Sequence, residues 1–300
     1  MYVILGATGH TGSVVANSLL GQKKKIRVVG RDNKKLTAFT SRGGEAFTAN
    51  VTDEKSLTRA FTGAEAVYAM IPPDITNDNY RGFQSLASNA IAKALENAGV
   101  KHAVTLSSFG ADKAEKTGPI AGLHELESKL NLIKGLNVLH LRAGYFMENT
   151  LPQTGIIRNL GRMAGPVDVD VALPMIATKD IGAAAAEALL KLEFKGKQTQ
   201  ELQGQRHLNY KEVAVILGGV IGNAGLDYVR LPDDQVVQAM ASMGMSKNFA
   251  ELVVEMTNAI NRGHVKTLEP RSGKNTTPTS YETFAREVFL PAYKGLAASA

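Results

Sequence analysis

The chain has 300 residues, no cysteine and a formal net charge of +6. Its length holds a large core, and the missing cysteines exclude disulfides, thiolate metal sites and a cysteine nucleophile while fitting a reducing, cytoplasmic setting. No apolar run approaches the ~20 residues needed to cross a bilayer, and the one tight basic run, Lys23-Lys24-Lys25, reads as a solvated helix end rather than a nucleic-acid footprint.

In chain order, short apolar runs alternate with helix-length amphipathic stretches. Strands are expected at Tyr2–Leu5, Ile26–Val29, Ala46–Ala49, Ala66–Ile71, His102–Leu106 and Val138–Leu141. Helices are expected between them at about 11–21, 33–42, 54–61, 77–98 and 121–134. Nearly continuous apolar strands suit a sheet covered on both faces. Strict alternation predicts an α/β fold with a doubly wound, parallel, Rossmann-type sheet.

After Arg142 the rhythm changes. Residues 150–175, rich in Gly and Pro, read as a connection into another lobe. A helix with an alanine-rich face is expected over Asp180–Leu192, and a further strand over Thr199–Leu202. From His207 onward the pattern is mostly helical, with capping boxes read at Asn209/Glu212 and Thr279/Glu282. Thr267–Thr279 reads as a mobile polar loop. The predicted division is a dinucleotide-binding domain of 1–149 plus about 176–204, and a smaller, mostly helical substrate or partner lobe of about 150–175 plus 205–300.

Gly6-Ala7-Thr8-Gly9-His10-Thr11-Gly12 follows the first strand and opens the first helix. Gly6, Gly9 and Gly12 supply a tight turn, a close approach to a pyrophosphate and close helix packing. The helix N-terminus offers free N–H groups and partial positive charge. At the end of the second strand Arg31 precedes Asp32, with Lys34 and Lys35 one turn on. Cations there suit an adenosine 2′-phosphate and hence NADP(H), whereas Asp32 keeps NAD open.

These residues, with Thr48–Asp53, Ala66–Pro73, Thr105–Ser108, Leu139–Asn149 and the late Asn275–Thr279 and Phe284–Glu287, resemble the NmrA-like family of atypical short-chain dehydrogenases/reductases. The resemblance implies a nucleotide lobe, a smaller C-terminal lobe and a cleft between them. It implies that Thr8, His10 and Thr11 touch the pyrophosphate, Arg31 the 2′-phosphate, and Asn50 and Val51 the adenine. Ile71, Pro72 and Ser107 would lie along the ribose and nicotinamide. Ser107 and Ser108 read alternatively as hydroxyls bonding local backbone, and Pro72-Pro73 as a rigid loop start.

The usual catalytic tyrosine with lysine four residues later is missing: none of the eight tyrosines has that partner. Counting back from Arg142 along the family pattern puts Ile120 and His124 in those places. His124 is therefore the one candidate catalytic group, as proton donor or substrate anchor, with a structural helix-start histidine as its alternative. Glu125 and Glu127 read as solvated helix charges. Ser108, Tyr145, Phe146 and Asn149 are candidate substrate contacts, the aromatic pair and the amide suiting a flat apolar molecule. The other histidines lack metal-ligand spacing, and no metal site is expected.

The expected function is NADPH-dependent reduction of a small electrophile such as a quinone, enone or imine. The alternative is a non-catalytic NADP-binding redox sensor acting through a protein partner, with an epimerase-like activity as a third reading. Neither a membrane nor a nucleic acid is an expected partner.

Overall fold

The computed structural model describes residues 1–296. The chain begins β1 (Tyr2–Leu5), α1 (His10–Gly21), β2 (Ile26–Gly30), α2 (Asn33–Thr40), β3 (Glu45–Thr48), α3 (Glu54–Phe61), β4 (Ala66–Ala69) and α4 (Tyr80–Asn97). It continues β5 (His102–Ser108), α5 (Ile120–Leu132), β6 (Asn137–Ala143), β7 (Tyr145–Phe146), α6 (Gln153–Leu160), β8 (Met163–Gly165), β9 (Leu173–Ile176), α7 (Thr178–Lys191) and β10 (Lys197–Leu202). The remainder is β11 (His207–Leu208), α8 (Tyr210–Ile221), β12 (Tyr228–Arg230), α9 (Asp233–Ser242), α10 (Lys247–Asn261), α11 (Tyr281–Phe284) and α12 (Leu290–Tyr293).

Seven parallel strands form the main sheet in the order β10-β6-β5-β4-β1-β2-β3. The order reverses at β1, whose two neighbours β2 and β4 lead away in opposite directions, and a ligand crevice opens at such a switch point. Side chains alternate across the strands. Val3, Leu5, Val67 and Ala103 face Leu57, Ile91 and Leu126 of α3, α4 and α5. Tyr2, Ile4, Val28 and Val104 face Val15, Leu36 and Ile181 of α1, α2 and α7. The alanine-rich face of α7 brings that helix close to α1, since a Cβ on Gly182 would lie 2.5 Å from Val14 Cβ and 2.8 Å from the Thr11 carbonyl.

A third apolar cluster collects Phe109, Met147, Met163, Leu173, Val213, Tyr228, Ile260, Phe284 and others beyond the sheet. Two small sheets, β11-β9-β7 and β12-β8, frame it. Residues 150–175, read as a plain connection, thus contain a helix and two strands. Their short apolar runs pair with distant partners, Met163 with Tyr228 for example, which local periodicity cannot reveal.

The Asn209/Glu212 capping box is present. The Thr279/Glu282 box is not. Ser280 caps α11 through Thr283 N, while Thr279 gives both its N–H and its hydroxyl to the buried carboxylate of Asp180. The 267–279 segment is also far better fastened than its composition suggests. The buried Glu201 carboxylate accepts from Leu268 N and Glu269 N, and Arg271 donates to the Gln203 and Gly204 carbonyls.

Candidate functional site

Backbone geometry explains the glycines of the first loop. Gly6 has φ +73, and a Cβ there would sit 2.7 Å from Met70 Sδ. Gly6 N donates to Val29 O and Gly9 N to Gly6 O, closing the turn. A Cβ on Gly12 would lie 2.3 Å from Gly6 O, so only glycine allows α1 to start this close to the strand. Gly9 differs. Its φ of −87 suits any residue, and a Cβ would meet only Gly6 O at 3.4 Å. Inside the chain, position 9 would accept a Cβ.

Thr8, Gly9 and His10 are exposed. No side chain caps the start of α1, and the first helical bond runs from Ser13 N to Gly9 O. The N–H groups of the first helical turn, those of His10, Thr11 and Gly12, are therefore open to an anion. Thr11 is turned the other way: it is buried and its Oγ1 accepts from Tyr68 O–H at 2.9 Å, leaving its backbone N–H as the group available to a phosphate.

Arg31 and Asn50, at the ends of β2 and β3, line one cleft of about 620 Å³. Its other wall is Asp74, Asn77 and Asn79 from the segment joining β4 to α4, with Phe83 from the first turn of α4; sequence reasoning did not single these out. Arg31 has no ion-pair partner among the described residues, and neither has Lys35. Asp32 spends one carboxylate oxygen capping α2 at Lys34 N, 2.9 Å away. Asn50 Oδ1 holds the next turn through Thr52. Val51 and Ile71 are buried in the apolar cluster between the sheet and α3–α4, so a ligand meets mainly their backbone, while Pro72 is half-exposed.

The carboxyl ends of β5 and β6 carry a buried polar network. Ser107 is 3% exposed and donates its hydroxyl to Glu127 Oε1. Arg142 grips the same carboxylate with Nε at 3.0 Å and Nη2 at 2.6 Å. Glu127, expected to be solvated, is 5% exposed, because it lies within the stripe Leu123, Leu126, Leu130 that α5 turns inward. That spacing was the available signal. Glu125 is half-buried and engaged by Lys129, Ser85 and Arg81; burial opposes its ionisation, but these partners outweigh it and hold its carboxyl below the ordinary range.

Next to this network, His140 accepts from Thr105 O–H at Nδ1 and donates from Nε2 to Asn131 Oδ1. Burial pushes its pKa down to about 4. Ser108 donates to the neighbouring Phe109 carbonyl, a local backbone bond. His124 donates from Nδ1 to the Ala111 carbonyl at 2.8 Å, since a carbonyl can only accept. Its Nε2 lies 3.4 Å from Ser128 Oγ.

Tyr145 and Phe146 are consecutive strand residues and point to opposite sides. Tyr145 packs on the third cluster and Phe146 on the α1–α7 side of the sheet. The Tyr145 hydroxyl meets that of Tyr210 at 3.2 Å, and burial pushes its phenol up. Asn149 is exposed. Neither the 620 Å³ cleft nor a second cavity of about 310 Å³ is lined by His124, Tyr145, Phe146 or Asn149.

The NmrA-like family model matches residues 2–286, nearly the whole chain. The chain belongs to the NmrA-like family. Among curated proteins it is 28% identical over 260 residues to an NAD(P)H azoreductase of Xenophilus azovorans, covering 85% of this chain and 86% of that one. An NADPH-dependent quinone oxidoreductase of Escherichia coli, solved with NADPH, superposes with a TM-score of 0.81 at 23% identity, covering 96% of this chain and all of that one. The triphenylmethane reductase of a Citrobacter species, solved with NADP(H), gives 0.78 at 20% identity over 94% of this chain and 98% of its own. These likenesses agree with the doubly wound parallel sheet read from the first 142 residues. No helix among the described residues is long and apolar enough to cross a membrane.

Proposed function

We propose that this chain is an NADPH-dependent reductase of a small conjugated electrophile of the quinone, enone or imine type. The sheet, residues 1–149 plus about 176–204, is its cofactor lobe, and the remainder its acceptor lobe. One observation carries the cofactor half of this reading: Gly9 has no steric reason inside the chain to be glycine, yet lies exposed over an uncapped helix start. In line with that loop, unpaired Arg31 lines a cleft large enough for an adenosine end.

The residues present fit the dinucleotide. Thr8, His10 and the first N–H groups of α1 hold the pyrophosphate, Arg31 and Lys35 the 2′-phosphate, and Asn50 the adenine edge. NADPH supplies a hydride when bound. The chain supplies binding and orientation, which is most of what reduction of a conjugated acceptor requires. Ser107 works through its bond to Glu127, fixing the β5 corner. His124, with Nδ1 committed to Ala111, presents Nε2 toward an acceptor as a positioning group or proton relay, and Tyr145 with Asn149 borders the acceptor. The names of the relatives, an azoreductase, a quinone oxidoreductase and a triphenylmethane reductase, support an acceptor of this conjugated class.

NADPH oxidation measured against a panel of quinones, enones and imines tests the reading. Turnover with at least one member is expected. Tight NADPH binding without turnover on any would favour a second reading, a redox sensor acting through a protein partner. That reading draws on Ser107 and His124 both being hydrogen-bonded within the chain.

A further inference from the structure

The second cavity, about 310 Å³, shares no residue with the larger cleft. Its walls include Phe109, Leu173, Ile260 and Val265, all buried. They come from the turn after β5, from β9, and from the end of α10 with the loop that follows it, and His207 of β11 adds a fourth segment.

Two of the polar side chains at this cavity, Lys266 and His207, face it as donors. Lys266 is the only charged residue lining it, and no aspartate or glutamate does. Lys266 is exposed and has no ion-pair partner among the described residues. His207 also lines it, and its Nδ1 accepts from Arg271 at 3.0 Å. Burial and the Arg271 charge both push its pKa down. The ring is therefore neutral with its proton on Nε2, a donor with no partner among the described residues. Asn261 is held in place by its own bonds, accepting from Asp168 N and donating to the Pro166 carbonyl.

We propose that this cavity binds a small, flat, apolar molecule carrying one anionic group, a class that includes aromatic carboxylates and sulfonates. The walls take the ring by area burial, and Lys266 with His207 takes the anion through charge-assisted and neutral hydrogen bonds. The site does not depend on the reductase reading.

The test uses the full chain and two fluorescent probes, 1-anilinonaphthalene-8-sulfonate and the uncharged N-phenyl-1-naphthylamine, each titrated with and without saturating NADPH. One sulfonate site that persists with NADPH is expected, with the uncharged probe bound more weakly. Lys266→Glu should weaken the sulfonate about tenfold and leave the uncharged probe unchanged. Ala172→Trp, at an exposed lining position, should weaken both by filling the mouth. Displacement of the sulfonate by NADPH, an uncharged probe bound as tightly, or indifference to either variant would each overturn the proposal. If NADPH does not bind at all, the two variants decide alone.

Discussion

Two corners of the same sheet edge are built in opposite ways. After β1 the working surface is backbone: a left-handed Gly6, an exposed Gly9 and a helix start that no side chain caps. After β5 and β6 it is side chains: Ser107, Glu127 and Arg142 closed on one another, with His140 held neutral beside them. The first corner is open to an anion and costs the fold little. The second is satisfied from within, and the fold leans on it. Substitutions at the two corners should therefore separate binding from stability.

The largest effect belongs to the open corner. Gly9→Val places a branched side chain where a pyrophosphate would lie, so NADPH binding should be abolished while the melting temperature stays near wild type. Fluorescence titration and calorimetry on the same sample check both halves. Normal binding would remove the phosphate-loop assignment.

At the closed corner, Glu127→Ala strands a mostly buried guanidinium whose side chain is 14% exposed. Breaking a buried pair by removing one partner costs about 3–5 kcal/mol. Denaturant unfolding should show a loss of that order, with the NADPH affinity of the folded fraction unchanged. A loss below ~1 kcal/mol would mean that Arg142 finds water.

His140 makes the closed corner sensitive to acid. Its folded pKa of about 4 lies below the ordinary 6.5, so the unfolded chain binds the extra proton first. The contribution is complete above pH 6.5 and is lost as pH falls from 6.5 to 4. It amounts to roughly 3 kcal/mol, at 1.36 kcal/mol per unit. Unfolding free energies measured across that window should fall in the wild type and fall less steeply in His140→Gln. Parallel slopes would point to carboxylates instead.

The smallest effect returns to the open corner. Arg31→Ala should weaken NADPH about tenfold and leave NADH unchanged, because only the former carries a 2′-phosphate. Equal losses for both cofactors would mean that Arg31 reads the adenine or the ribose instead.

The contrast also explains what the sequence revealed. The parallel sheet and the glycine turn between β1 and α1 were legible because their causes are local: β-branched runs, period-3.6 helices and glycines at fixed spacing. The Glu127 network was not, since it joins residues 107, 127 and 142, and a glutamate on a helix reads as solvated until its stripe is traced. The short strands β7, β8, β9, β11 and β12 escaped for the same reason, being defined by partners as far apart as Met163 and Tyr228. Tyr145 and Phe146 looked like one aromatic face, yet strand alternation sends them apart. The 267–279 segment, polar in composition, is tied down by the buried acids Glu201 and Asp180 from elsewhere in the chain.

The position of β10 sets a timetable for synthesis. When residue 143 has left the ribosome, six strands exist but the edge of β6 is bare, because its partner β10 ends at Leu202. The helix that covers α1, α7, is also still unmade. At roughly 5–20 residues per second, about 3–12 s pass before that strand arrives. Throughout that interval a hydrogen-bonding edge and the apolar flank of α1 stand open to other nascent chains, a hazard for unpaired strands. The vulnerable moment for this protein thus falls in the middle of translation, and slow codons between 143 and 202 would lengthen it.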